Sequence, residues 1–204
     1  TSGLDYSYGP QKKENRLLTL YANYNKLVES IKSSFDVTAG YDYQYWKSTT
    51  PLYSEMNTLG EIQKTSKASD ERHVLLSYYG RLNYSFNSRY MLTTTVRRDA
   101  TSRFAKNVRW GTFPSVALGW RVTEESFLKD NKVISTLKVR ASYGVTGQQD
   151  GIGNYNYLPI YTISQSGAGS LIGGTPTPTY RPKAYVPNLK WETTISWNVG
   201  FDFG

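Results

Sequence analysis

Between His73 and Phe86 apolar and polar positions alternate residue by residue. Val74, Leu76, Tyr78, Gly80, Leu82, Tyr84 and Phe86 fall on one side, and His73, Leu75, Ser77, Tyr79, Arg81, Asn83 and Ser85 on the other. A period of two is that of an extended strand, whose successive side chains point to opposite faces of a sheet. The pattern recurs along the chain. Phe35, Val37, Ala39, Tyr41, Tyr43 and Tyr45 oppose Asp36, Thr38, Gly40, Asp42 and Gln44, while Leu137, Val139, Ala141, Tyr143 and Val145 oppose Lys138, Arg140, Ser142 and Gly144. Near the C-terminal end Trp191, Thr193, Ile195, Trp197, Val199, Phe201 and Phe203 oppose Lys190, Glu192, Thr194, Ser196, Asn198 and Asp202. Alternation is looser from Trp110 to Val122, with Trp110, Val116, Leu118, Trp120 and Val122 facing away from Ser115, Gly119 and Arg121. In all these segments the charged side chains keep to one face, so the sheet separates two environments.

A soluble β-sandwich is the plain reading of such strands, with one face against a second sheet and the other in water. Three features favour a bilayer instead. The patterns run roughly ten to fourteen residues, longer than ordinary globular strands and enough to cross a membrane at a tilt. Aromatic residues gather near strand ends, as in Tyr84 with Tyr90, Trp110 with Trp120, and Trp191, where an interfacial girdle would need them. Connections alternate in length: 25–32 is short, 47–71 long, 87–89 very short, 99–109 longer, 123–135 intermediate and 146–189 the longest. Membrane barrels do this, with short periplasmic turns and long external loops. Thr123 followed by Glu124 and Glu125 predicts a short periplasmic helix in the intermediate connection.

Composition narrows the function. Mean hydropathy is −0.54 and no apolar run is long enough for a membrane helix, but barrel strands hide their apolar residues by alternation. The absence of Cys suits passage through an oxidising periplasm. The start of the chain has neither the basic nor the apolar region of a signal peptide. A net charge of +8 raises nucleic-acid binding, yet the cations are dispersed and no recognition helix or aromatic RNA-binding motif accompanies them. Arg81, Arg97, Lys138 and Arg140 instead suit the lining of a hydrated lumen or pairing with Asp36, Asp42 and Glu192, and loop cations Arg103, Lys106 and Arg109 suit lipopolysaccharide phosphates. No catalytic or metal site and no cofactor is expected. His73 is the single histidine, at a strand end, and Gly167–Gly174 fits neither phosphate-loop spacing, so it reads as a flexible loop continuing into a Pro-punctuated stretch.

Longer motifs then carry a resemblance. Gly80-Arg-Leu-Asn-Tyr-Ser-Phe-Asn-Ser-Arg-Tyr-Met-Leu-Thr-Thr-Thr-Val-Arg-Arg-Asp-Ala-Thr-Ser-Arg-Phe is followed by Trp110-Gly-Thr-Phe-Pro-Ser-Val-Ala-Leu-Gly-Trp-Arg-Val and by Leu137-Lys-Val-Arg-Ala-Ser-Tyr-Gly-Val-Thr-Gly-Gln. Together with Leu189-Lys-Trp-Glu and Asn198-Val-Gly-Phe-Asp-Phe, these runs closely resemble the SusC/RagA family of TonB-linked outer-membrane proteins, in order from about Val74 onward. The resemblance implies a barrel of about 22 strands with an N-terminal plug, a TonB-engaging segment and a SusD-like surface lipoprotein as lid. Residues 1–204 read as about seven strands of that barrel domain, an antiparallel all-β segment with long extracellular loops and no plug. Such an arc has bare edges that lipid does not tolerate, which points to a piece of a longer barrel.

The function implied is energised import of a nutrient, a glycan oligosaccharide or sometimes a peptide, across the outer membrane of a Bacteroidetes-type bacterium, with no bond chemistry. A passive porin and a soluble carbohydrate-binding or adhesin sandwich are the alternatives. Tyr155, Tyr157 and Tyr161 are candidates to stack on sugar rings, as against simply packing their loop or sitting in a girdle. Arg103 is a candidate substrate contact, and the spacing of Asp99 and Arg103 also suits a local ion pair that shapes their loop. Leu82 and Val139 are expected to face lipid.

Overall fold

A computed structural model describes residues 4–7, 10–128, 133–163 and 169–204. Seven long strands form one antiparallel sheet: β2 (Lys12–Val28), β3 (Ser33–Thr50), β6 (Ser69–Phe86), β7 (Tyr90–Thr101), β8 (Trp110–Arg121), β9 (Leu137–Gln148) and β14 (Glu192–Phe203). They are neighbours in the order β14-β9-β8-β7-β6-β3-β2, each next to its predecessor in the chain, so the sheet is an up-and-down meander with β2 and β14 at its edges. The remaining strands are small; the first of them precedes the sheet and the others belong to the long connections. β1 (Leu4–Ser7), β4 (Tyr53–Asn57) and β5 (Ile62–Ser66) make a three-stranded sheet; β10 (Tyr161–Ile163) pairs with β13 (Tyr180–Pro182), and β11 (Gly169–Ile172) with β12 (Thr175–Pro178).

Register turns alternation into two continuous surfaces. Across the sheet Val37 pairs with Leu82, Leu82 with Thr94, Thr94 with Val116 and Val116 with Tyr143, and Tyr143 meets Trp197, so the apolar positions of six strands share one face. That face stands open: Leu118 is 56% exposed and Trp197 76%. Aromatic rings border it at both ends. At the long-loop end Tyr41, Tyr78 and Trp110 follow one another with centroids 5.2 and 6.1 Å apart. At the short-turn end Phe35 meets Tyr84 and Phe86 meets Tyr90. Trp110 and Trp120 close the two ends of β8, and ten strand steps between them at a tilt of about 40° span about 26 Å of height, the thickness of a barrel's apolar band.

The opposite face is polar and internally paired. Arg97 bonds Asp99 at 2.9 Å, Ser77 at 2.8 Å and Asp42 at 3.4 Å, drawing three strands together, and Arg140 pairs with Asp202 at 2.7 Å. Asn23 donates to Asp36 and Thr38, and Thr93 to Asn83. At Gly40 any Cβ would strike the Tyr79 ring from the paired strand, so this close approach requires glycine.

Connections depart from expectation in three places. The short turns hold, with Lys32, Asn87 and Ser88 in left-handed conformations. The described residues of the intermediate connection hold one 3-10 turn, Val122–Glu124, and not a helix begun by Thr123; its N-cap is Arg121 and no side chain caps it. The rest of that expected helix includes residues 129–132, outside the described residues. Gly167 also lies outside them, but residues 169–178 form a hairpin turned by Gly173 and Gly174, both at positive φ. Trp191 is not in the outward girdle: it is buried with Phe104 and Phe113 in a compact core beneath the long loops, its indole N–H bonded to the Arg109 carbonyl at 2.9 Å.

Candidate functional site

The long strands overshoot the aromatic border at the long-loop end, and their polar face there forms a cleft of about 380 Å³. Trp46 and His73 occupy paired positions of β3 and β6 and stack with centroids 4.5 Å apart and planes within 14°. Both line the cleft, with Lys13, Asn15, Glu71, Arg103 and Asn154 among their neighbours. Burial, with the Arg103 cation nearby, pushes the His73 imidazole below its ordinary value, which favours the neutral ring on this overhang.

Arg103 ties the rim together. Its Nε donates to Asn154 Oδ1 at 3.1 Å and its Nη1 to the Gln149 carbonyl at 3.1 Å, with Asp150 at 3.8 Å. Asn154 in turn donates to Glu71 at 3.3 Å. One guanidinium thereby joins the loop after β7 to the loop after β9 and, through Asn154, to β6. Phe104, fully buried next to it, anchors the same loop in the Trp191 core. The Asp99–Arg103 pair expected from spacing does not form: Asp99 points to the polar face beside Arg97, two positions away on the same side, and Arg103 has turned into the loop cluster.

The expected tyrosines do not converge. Tyr155 and Tyr161 are 41% and 67% exposed, Tyr157 is half-buried, and none of the three lines the cleft. Trp46, His73, Glu71 and Asn154 were missed because each meets its partners across strands or loops. The signal for the first pair lay in the alternation itself, since extending β3 past Tyr45 and setting its register on β6 brings Trp46 opposite His73. Among the described residues no group of His, Asp and Glu has the arrangement of a metal site.

An open arc with an apolar exterior, aromatic borders, a paired polar interior and loops gathered at one end is the wall of a membrane barrel. A family model described as TonB dependent receptor-like, beta-barrel, matches residues 1–204. The chain belongs to the TonB-dependent receptor β-barrel family. It is 44% identical over 197 residues to TonB-dependent receptor SusC of Bacteroides thetaiotaomicron, which covers 89% of this chain and 19% of that protein. It is 39% identical over 203 residues to TonB-dependent receptor P3 of Formosa agariphila, covering 92% of this chain and 19% of that one. Its fold matches the RagAB peptide transporter with a TM-score of 0.79 at 21% identity, over 95% of this chain and 22% of the other. The RagAB peptide importer in its open-open state gives a TM-score of 0.78 at 22% identity, with the same coverage. The chain therefore spans about a fifth of the length of the curated relatives it matches. This TonB-dependent receptor segment is of the SusC/RagA type and lies in the outer membrane, its apolar band in lipid and its long loops outside.

Proposed function

We propose that this segment forms part of the wall and the external mouth of an importer that takes up a glycan oligosaccharide, driven through TonB acting on a plug domain outside residues 1–204. The segment lies within a single barrel domain, carries out no bond chemistry and needs no cofactor. A SusD-like lipoprotein would close over the loops, and TonB would engage a region outside this segment. The observation that carries the reading is the cleft at the mouth: a flat indole beside amide, carboxylate and cationic groups is the chemistry that receives a sugar ring, whose C–H face stacks while its hydroxyls bond in plane.

The test is uptake by cells carrying the complete receptor, supplied with labelled neutral oligosaccharides or labelled peptides, with and without TonB. The expected result is oligosaccharide uptake that is lost without TonB and reduced about tenfold by Trp46→Ala. Uptake indifferent to TonB would make the barrel a passive porin. Uptake confined to peptides would replace the glycan with a peptide substrate.

A further inference from the structure

The sheet contains a seam. β8 pairs with β7 along its whole length, up to Trp110 opposite Ala100, and β9 pairs with β14 up to Gln148 opposite Glu192. Between β8 and β9, however, the ladder runs only from Arg121–Lys138 to Ser115–Gly144. Above Ser115 the β9-facing edge of β8 has no strand partner. Two features explain where the ladder stops. Pro114, the next residue towards the loops, has no N–H to donate. The Phe113 ring fills the space that a Cβ on Gly111 or Gly147 would take, and so wedges between the two strands.

A cleft of about 390 Å³ occupies this seam, lined by Trp110, Thr112, Phe113, Lys190, Trp191 and Thr193 among others. Trp110 and Thr112 are outward-facing positions of β8, and Thr193 is an outward-facing position of β14, so the cleft, backed by the buried Phe113 and Trp191, reaches the lipid side at the aromatic border. No carboxylate lines it. Beside it Arg98, paired in register with Thr112, breaks the apolar rule of the outer face: its guanidinium lies 5.1 Å above the Trp110 ring. Arg98 and Lys190 are both exposed, and neither forms an ion pair among the described residues; Lys190, which alternation assigned to the polar face, lies before the start of β14 and lines this cleft instead.

We propose that this seam binds the phosphorylated headgroup of an outer-leaflet lipid, with Arg98 and Lys190 holding the phosphate and the exposed Trp110 ring receiving the apolar part. Cations on the lipid-facing side of a barrel are costly at depth and favourable at an anionic interface. Two of them flanking an aromatic cleft without an acid match an amphiphile that is anionic at one end. The headgroup also brings polar atoms to the unpaired edge of β8, which hydrocarbon cannot satisfy. The site faces away from the mouth cleft and does not depend on what the receptor imports.

The test uses the complete receptor, purified in detergent, stripped of lipid and titrated with lipid A, dephosphorylated lipid A or inorganic phosphate, with bound lipid read by native mass spectrometry. One lipid A is expected to bind, and Arg98→Gln with Lys190→Gln together is expected to weaken it about tenfold or more. Retention of the heat-resistant folded band on gels shows that the variant barrel is intact. Trp110→Phe, which keeps a ring under Arg98, is expected to retain binding. Equal affinity for the dephosphorylated lipid, undiminished binding by the double variant, or saturation by phosphate alone with no lipid bound would each overturn the proposal.

Discussion

At the periplasmic end one carboxylate holds a connection to the barrel wall. Glu125 accepts hydrogen bonds from the Tyr90 hydroxyl at 2.6 Å, from the Trp120 indole at 3.0 Å and from Arg89 at 2.7 Å. The Tyr90 bond, then the Trp120 bond, with help from Arg89, keep its carboxyl below the ordinary glutamate value, against a smaller opposing effect of burial. A depressed value means that the stabilisation is complete above the ordinary value near 4.3 and is lost as pH falls through the folded-state value. Acidification below about pH 4 is therefore expected to free the 122–128 connection while the strands persist. Hydrogen exchange at the amides of 122–128, taken relative to the intrinsic rate at each pH, checks this: protection is expected to fall in acid in the wild type, and to be low at every pH in Glu125→Gln. The sequence showed Glu125 only as an acid in a supposed helical turn. Its partners are 35 residues back at Tyr90 and five back at Trp120, and only register places all three at one corner. The same holds for Arg103, whose role depends on Asn154, 51 residues on.

At the scale of the strand, alternation was almost sufficient. The apolar and polar faces read from His73 to Phe86 and from Leu137 to Val145 are the faces of the sheet, because a one-residue slip in register would invert every side chain and register is thereby fixed. What escaped was where strands stop being paired. β3 and β6 run on beyond the bilayer to Thr50 and Ser69, since an overhang in water needs no apolar face and so leaves no periodic mark. The connection between them contains a hairpin, turned where Asn57 Oδ1 accepts the amides of Leu59 and Glu61. Paired faces make a sharp prediction for neighbouring residues. Leu82, in the row of Val37, Thr94 and Val116, faces lipid near mid-band, and Asn83 faces the lumen. Leu82→Arg in the complete receptor is expected to cost about 2–4 kcal/mol, and Asn83→Arg under about 1 kcal/mol. Urea unfolding of both variants in lipid vesicles measures the difference, and equal losses would mean that the faces are misassigned.

For the whole molecule the decisive fact is that the arc does not close. Among the described residues buried apolar side chains are few: Phe104, Phe113 and Trp191 form a core beneath the loops, with Ala100 and Val122 the others, while Leu18, Leu118, Trp197 and Phe201 stand open on the outer face. A soluble sandwich would have covered that face with a second sheet, and here the described residues form only small loop sheets besides the main one. Lipid supplies the missing apolar contact, but it cannot supply hydrogen bonds to the free edges of β2 and β14. Stability therefore resides in the closed barrel, and the two requirements can be separated by experiment. Residues 1–204 produced alone and diluted from urea into water are expected to aggregate through the outer face and edges. In detergent micelles, which cover the face but not the edges, they are expected to show strand signal in circular dichroism without a heat-resistant band on gels. Adding the other barrel strands as a second polypeptide is expected to restore that band. Formation of a stable, monomeric, heat-resistant species by the segment alone would show that its edges close on each other, giving a small barrel in place of a share of a large one.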